Sequence, residues 1–162
     1  MIDTLDRISR ALTKALTLLA GLMLVAMMLL ACANMVSRAV WLPIQGTFEL
    51  MGFLGAVTTA FALAFAQLNK SHISVGILMK HLPRPVRRLL DALTSLISCA
   101  FFALIGSETA QWAGYLVNTG ELSETLRIAY HPFVFATAAG CLLMAFVLLV
   151  DTLKTVTGRT EH

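Results

Sequence analysis

Four long stretches without Asp, Glu, Lys or Arg limit what this chain of 162 residues can fold into. A helix that crosses the hydrocarbon core of a membrane needs about 20 mostly apolar residues. Three of the stretches meet that length outright, and the third along the chain, 92–107, meets it if its flanking charges lie at the membrane interfaces. We therefore predict membrane spans at approximately 15–37, 48–69, 89–112 and 131–153.

The composition agrees with a membrane protein. Hydrophobic residues make up 58% of the chain and charged residues 13%, whereas soluble domains have about half and about a quarter. Lipid cannot hydrogen-bond open backbone groups, and the alternating short strands of a transmembrane barrel are absent from the sequence. The fold class that we predict is an all-α membrane protein, with four transmembrane helices in a single domain over 1–162.

The basic residues predict the topology. Ten of the twelve Lys and Arg lie in the N-terminal tail, in the loop between spans two and three, or after span four. Arg38 and Arg127 are the two that lie in the other two loops. Because positively charged loops stay in the cytoplasm, we predict that both termini are cytoplasmic. The charges punctuate apolar segments instead of covering a soluble face, so we expect no nucleic acid partner.

Two segments have the spacing of amphipathic helices that lie in the membrane interface. In the first fourteen residues, Ile2, Leu5, Ile8 and Leu12 share one side of a helix. Between spans two and three, apolar residues recur over 73–82. We predict one short interfacial helix at the N-terminus and a second one in this middle loop.

The acidic residues Glu49, Asp91, Glu108 and Asp151 lie at span ends, where water and headgroups reduce the cost of their charge. Charge inside a membrane is a functional signal, and none is predicted at mid-membrane. An ion pathway within this chain alone is therefore not indicated. Arg38 and Glu49 flank the same hairpin, and we interpret them as an ion pair that staples it.

No arrangement of catalytic or cofactor-binding residues emerges from the sequence. Cys32, Cys99 and Cys141 lie in apolar spans without a CxxC pair, which is typical of small buried side chains. The four histidines fall at different predicted depths, unlike the ligands of one haem. We expect no enzymatic activity and no cofactor. A haem- or quinone-binding anchor of a redox enzyme stays an alternative, as does a small autonomous exporter.

Short motifs in a fixed order give the chain a family resemblance. Span one ends in NMVSR at 34–38, Trp41 follows, and EL at 49–50 opens span two. KSHISV at 70–75 follows span two, and ELSETLRI at 121–128 precedes span four. Over nearly its whole length, the chain resembles the small integral-membrane subunit of tripartite ATP-independent periplasmic (TRAP) transporters, the DctQ-like family.

The resemblance implies a multi-pass protein of the bacterial inner membrane. Its implied partners are a large membrane subunit, which moves the solute in a sodium-driven elevator motion, a periplasmic solute-binding protein, and membrane lipids. The small subunit is then a non-catalytic scaffold and part of the docking surface, and it supports uptake of an organic acid or similar solute.

The resemblance also implies two sets of candidate residues. Those expected to hold the fold or the interface with the large subunit are Arg38, Glu49 and His72. Those expected to face the periplasm and contact the solute-binding protein are Arg38, Trp41, Gln45, Glu121, Glu124 and Arg127.

Overall fold

The structure, a computed structural model, describes residues 2–69 and 84–156 and has four α-helices there. The helices are α1 (Ile2–Val40), α2 (Thr47–Leu68), α3 (Arg84–Thr119) and α4 (His131–Val156). These residues form no β-strand, and an isolated bridge joins Leu122 to Ala129. Each helix contains a segment that is long and apolar enough to cross a membrane. The predicted all-α fold with four candidate spans is confirmed.

The candidate spans extend over most of each helix. They are Thr4–Val40, Thr47–Leu68, Ala92–Thr119 and His131–Leu153. The main difference from the prediction is in α3, which continues past the predicted end of its span at residue 112. Gly120 ends this helix in the left-handed conformation, with φ 66, and its N–H donates to the Leu116 carbonyl at 3.0 Å.

The N-terminal segment is part of α1 and is not separated from span one. α1 has 39 residues, so at 1.5 Å per residue it is about 58 Å long, roughly twice the hydrocarbon thickness. Ile8 and Leu12 are exposed, whereas Ser9 and Thr13 are fully buried. Ile8 and Leu12 therefore face away from the bundle, but their location in the membrane interface stays a prediction. The second predicted interfacial helix, over 73–82, lies outside the described residues.

α4 is the central helix of the bundle. It contacts α1, α2 and α3, and α2 also packs along α1. Nine of the sixteen buried apolar residues in the described part of the chain lie on α4. One cluster joins Ala64 of α2 to Leu143 and Val147 of α4, with Leu16 of α1 packed against it. The other helices keep large apolar faces exposed, as expected where lipid or another protein is the neighbour.

Two glycines allow the backbones around α4 to approach closely. A Cβ atom at Gly140 would lie 2.8 Å from the backbone carbon of Ala60, at the α2–α4 contact. A Cβ atom at Gly106 would lie 2.8 Å from the side chain of Leu142, at the α3–α4 contact. Such contacts of small residues stabilise helix pairs in lipid, where the hydrophobic effect does not drive helices together.

Gly140→Ala is expected to destabilise the bundle by about 1–3 kcal/mol, the usual cost of overpacking a tight contact. The new methyl group meets the Ala60 backbone, which cannot rotate away as a side chain would. Gly114→Ala is the control, because a Cβ atom there meets nothing within 4 Å. Unfolding of both variants in detergent, followed by circular dichroism, measures the difference. Equal stability of the two variants would contradict the proposed close contact.

Candidate interaction surface at the loop end

Two loops lie at the same end of the bundle, which we call the loop end. Residues 41–46 connect α1 to α2, and residues 120–130 connect α3 to α4. Side chains from the neighbouring helices hold each loop, and the start of α2 joins the two loops to each other. At the loop end, polar side chains bind backbone groups of other elements.

Polar side chains at the end of α1 hold the first loop. The Asn34 Oδ1 atom accepts a hydrogen bond from the Ile44 N–H at 2.9 Å. The Ser37 hydroxyl donates to the Leu42 carbonyl. Thr47 is buried, and its hydroxyl donates back to the Ile44 carbonyl at 2.7 Å. The loop backbone therefore has partners on both sides, and the start of α2 is fixed relative to the end of α1.

Glu49 links the two loops. It lies in the first turn of α2, where a negative charge also matches the helix dipole. Its Oε1 atom accepts a hydrogen bond from the Thr125 N–H at 3.2 Å, and its Oε2 atom accepts one from the Leu126 N–H at 3.0 Å. Hydrogen bonds from N–H groups to a carboxylate are about twice as strong as those between neutral groups.

Gly46 provides the space for the same contact. Its φ of 73 lies in the left-handed region, which favours glycine, and it caps the start of α2. A Cβ atom at this position would overlap the side chain of Leu126. Gly46 thus leaves space for the side chain of Leu126, and Glu49 binds the backbone N–H of the same residue. We call this pair of contacts the Leu126 clamp.

Hydrogen bonds within the second loop present its backbone N–H groups to Glu49. The Ser123 N–H donates to the Ile128 carbonyl at 2.9 Å, and the Ile128 N–H donates to the Ser123 hydroxyl at 3.3 Å. Ser123 is buried. Arg127 has a φ of 52, which is uncommon for a residue with a side chain, and it completes the turn.

An aromatic cluster supports the second loop from below. The ring of Phe53 stacks on Tyr130 at 5.6 Å and on Phe133 at 5.3 Å between centroids. Trp112 of α3 lies 6.4 Å from Tyr130. The Tyr130 hydroxyl donates to Glu121 at 3.0 Å, and this hydrogen bond raises the pKa of Tyr130. The cluster ties α2, α3 and α4 together beneath the loop.

The six predicted docking residues are exposed at the loop end. They are Arg38, Trp41, Gln45, Glu121, Glu124 and Arg127. The most prominent is Trp41, of which 82% is exposed. The predicted ion pair of Arg38 with Glu49 is wrong: the Glu49 carboxylate binds the second loop instead, and the two side chains form no ion pair. His72 lies outside the described residues.

Several residues of the site were not singled out from the sequence. These are Asn34, Ser37, Gly46, Ser123 and Leu126. Four of the five lie in or next to motifs that carried the family resemblance, so the motifs were the available signal. Within the described residues, no group of three or more His, Cys, Asp or Glu could hold a metal ion.

A model of one protein family matches residues 27–158 of the chain, and its description is DctQ component of tripartite ATP-independent periplasmic transporters. The match covers α2, the loop end and α4, and it includes every residue of the Leu126 clamp. No curated protein and no solved structure matches the chain.

Gly46→Ala is expected to destabilise the protein, because the left-handed conformation costs a residue with a side chain about 1–2 kcal/mol. The added methyl group also displaces Leu126 from its position. Gly52→Ala is the control: this glycine lies in α2 with open space around it, and Ala stabilises a helix interior by up to about 1 kcal/mol. Thermal unfolding in detergent should therefore shift in opposite directions, and a shared direction would contradict the clamp.

Proposed function

Because this chain belongs to the DctQ family of TRAP transporter membrane components, we propose that it is the small membrane subunit of a sodium-coupled TRAP transporter in the bacterial inner membrane. It acts as a non-catalytic scaffold for a large, elevator-type membrane subunit. It also provides part of the docking surface for a periplasmic solute-binding protein. The complex takes up an organic acid or a similar solute.

The observation that carries the docking role is the connection of the two loops through Glu49. This carboxylate holds a turn whose residues lie 76 and 77 positions further along the chain. The exposed side chains of both loops therefore belong to one surface with fixed backbone positions. A preorganised surface binds with a smaller loss of conformational entropy than two mobile loops do.

Charge and exposure support the same role. The loop end exposes two arginines, two glutamates and the large aromatic side chain of Trp41. Interfaces are enriched in aromatic residues and arginine, and charged residues around the contact select the partner and its orientation. The positive-inside rule favours a periplasmic location for this end, where a solute-binding protein would reach it.

The exterior of the helices supports the scaffold role. α1 and α3 expose many large side chains, and α3 has its main contact with α4. Exposed apolar stripes of this extent suit a neighbour within the membrane. α4 lies at the centre of the bundle, which leaves α1 and α3 as the helices with the largest free surface for the large subunit.

The first test is purification of the tagged chain from its own membranes in mild detergent, with mass spectrometry of the proteins that accompany it. We expect one large polytopic membrane protein in a fixed ratio.

Glu49→Ala should lower the yield of this complex, because the second loop loses its carboxylate partner. Glu124→Ala, which removes an exposed carboxylate from the second loop without touching α1 or α3, is the matched control for assembly. A haem- or flavin-containing partner instead would overturn the proposal.

Trp41→Ala tests the docking surface separately from assembly. Because Trp41 is 82% exposed, its removal should leave the complex with the large subunit intact. A tryptophan at the centre of an interface contributes enough that its loss weakens binding by roughly tenfold or more. The measurement is binding of the solute-binding protein to the complex in nanodiscs. Leu89→Ala, exposed on α3 near the opposite end, is the control, and equal binding by both variants would exclude this docking contact.

A further inference from the structure

An open apolar groove runs along residues 14–25 of α1, and one residue of α2 borders it. Its volume is about 550 Å³. The residues that line it are Lys14, Thr17, Leu18, Gly21, Leu22, Val25 and Phe65. Six of them lie on α1 at the spacing of one helix face, and Phe65 comes from α2. The groove lies far from the loop end and takes no part in the surface described there.

The lining of the groove is almost entirely apolar. The Thr17 hydroxyl donates to the Thr13 carbonyl of the same helix at 2.7 Å. The part of Thr17 that lines the groove is therefore its methyl group. Gly21 leaves a recess in the middle, since a Cβ atom there would meet nothing within 4 Å. An occupant of this groove needs hydrocarbon along its length.

The length of the groove corresponds to one leaflet of a membrane. From Lys14 to Val25 the helix advances eleven residues, which is about 16 Å at 1.5 Å per residue. Half of a hydrocarbon core about 30 Å thick is about 15 Å. An extended acyl chain that runs along the groove matches this length.

Positive charge lies at one end of the groove. Arg7, Arg10 and Lys14 follow one another at spacings of three and four residues, on the face of α1 that continues into the groove. Asp6 pairs with Arg10 at 2.9 Å. Lys14 has no ion pair with any described side chain. The positive-inside rule puts this end in the cytoplasm, where the membrane surface carries anionic lipid.

We propose that the groove binds one anionic phospholipid of the cytoplasmic leaflet. One acyl chain lies between Lys14 and Val25, over the recess at Gly21 and against Phe65. The phosphate group binds the ammonium group of Lys14, and Arg7 adds to the attraction. The lipid thereby fills the open side of the contact between α1 and α2.

The test uses the full-length chain, freed of lipid in mild detergent and examined by native mass spectrometry. Phosphatidylglycerol and phosphatidylcholine with the same acyl chains are added at equal concentration. We expect the wild type to retain one phosphatidylglycerol in preference to phosphatidylcholine. Lys14→Gln should reduce this preference about fivefold, since one basic residue near an anionic surface contributes about 1 kcal/mol. Arg38→Gln, at the loop end, should leave it unchanged.

A second pair of variants tests the hydrocarbon part of the site. Gly21→Leu fills the recess and should lower retention of phosphatidylglycerol, whereas Gly52→Leu, at another open glycine, should not. Circular dichroism checks that both variants keep their helices. The Lys14→Gln measurement still decides the proposal should Gly21→Leu fail to fold.

Three results would overturn the proposal. The first is equal retention of the two lipids by the wild type, and the second is equal retention by the two leucine variants. The third is a Gly21→Leu variant that keeps its phosphatidylglycerol but no longer co-purifies with the large subunit. That result would mean that a protein segment, and not a lipid, occupies the groove.

Discussion

The close approach of α4 to its neighbours is the constraint on which the rest of the structure depends. In lipid, helices gain little from burying apolar surface, so contact between backbones has to stabilise the bundle. Gly140 allows α4 to meet Ala60 of α2, and Gly106 allows α3 to meet Leu142. Because these contacts position α2, α3 and α4, the first turn of α2 reaches the loop between α3 and α4.

The loop end follows from that positioning. Glu49 can bind the N–H groups of Thr125 and Leu126 only when α2 and α4 lie side by side. The aromatic cluster around Tyr130 fills the space beneath, and Gly46 leaves room for the leucine above. The arrangement of the helices therefore determines the geometry of the loops. The loops in turn determine where the exposed side chains of the loop end lie.

The sequence predicted the fold class well, because hydropathy over some 20 residues is a local property that the membrane selects strongly. The partner of Glu49 was not predictable in the same way. Arg38 is the cation nearest to Glu49 along the chain, but the carboxylate binds backbone N–H groups 76 and 77 residues further on. Almost every residue has a backbone N–H group, so residue types do not show which of these groups binds a carboxylate. The motif 121–128 contains the segment that Glu49 binds, but the motif does not show which of its groups donate the hydrogen bonds.

The distance along the chain between Glu49 and its partners also has a consequence for biosynthesis. At about 5–20 residues per second, the ribosome takes roughly 4 to 15 s to make the 76 residues that separate Glu49 from Thr125. During that time the first helical hairpin is already made, while the carboxylate still depends on water at the membrane surface. The connection between the two loops therefore forms well after the first loop is made, and a nascent chain that stops before Thr125 lacks it.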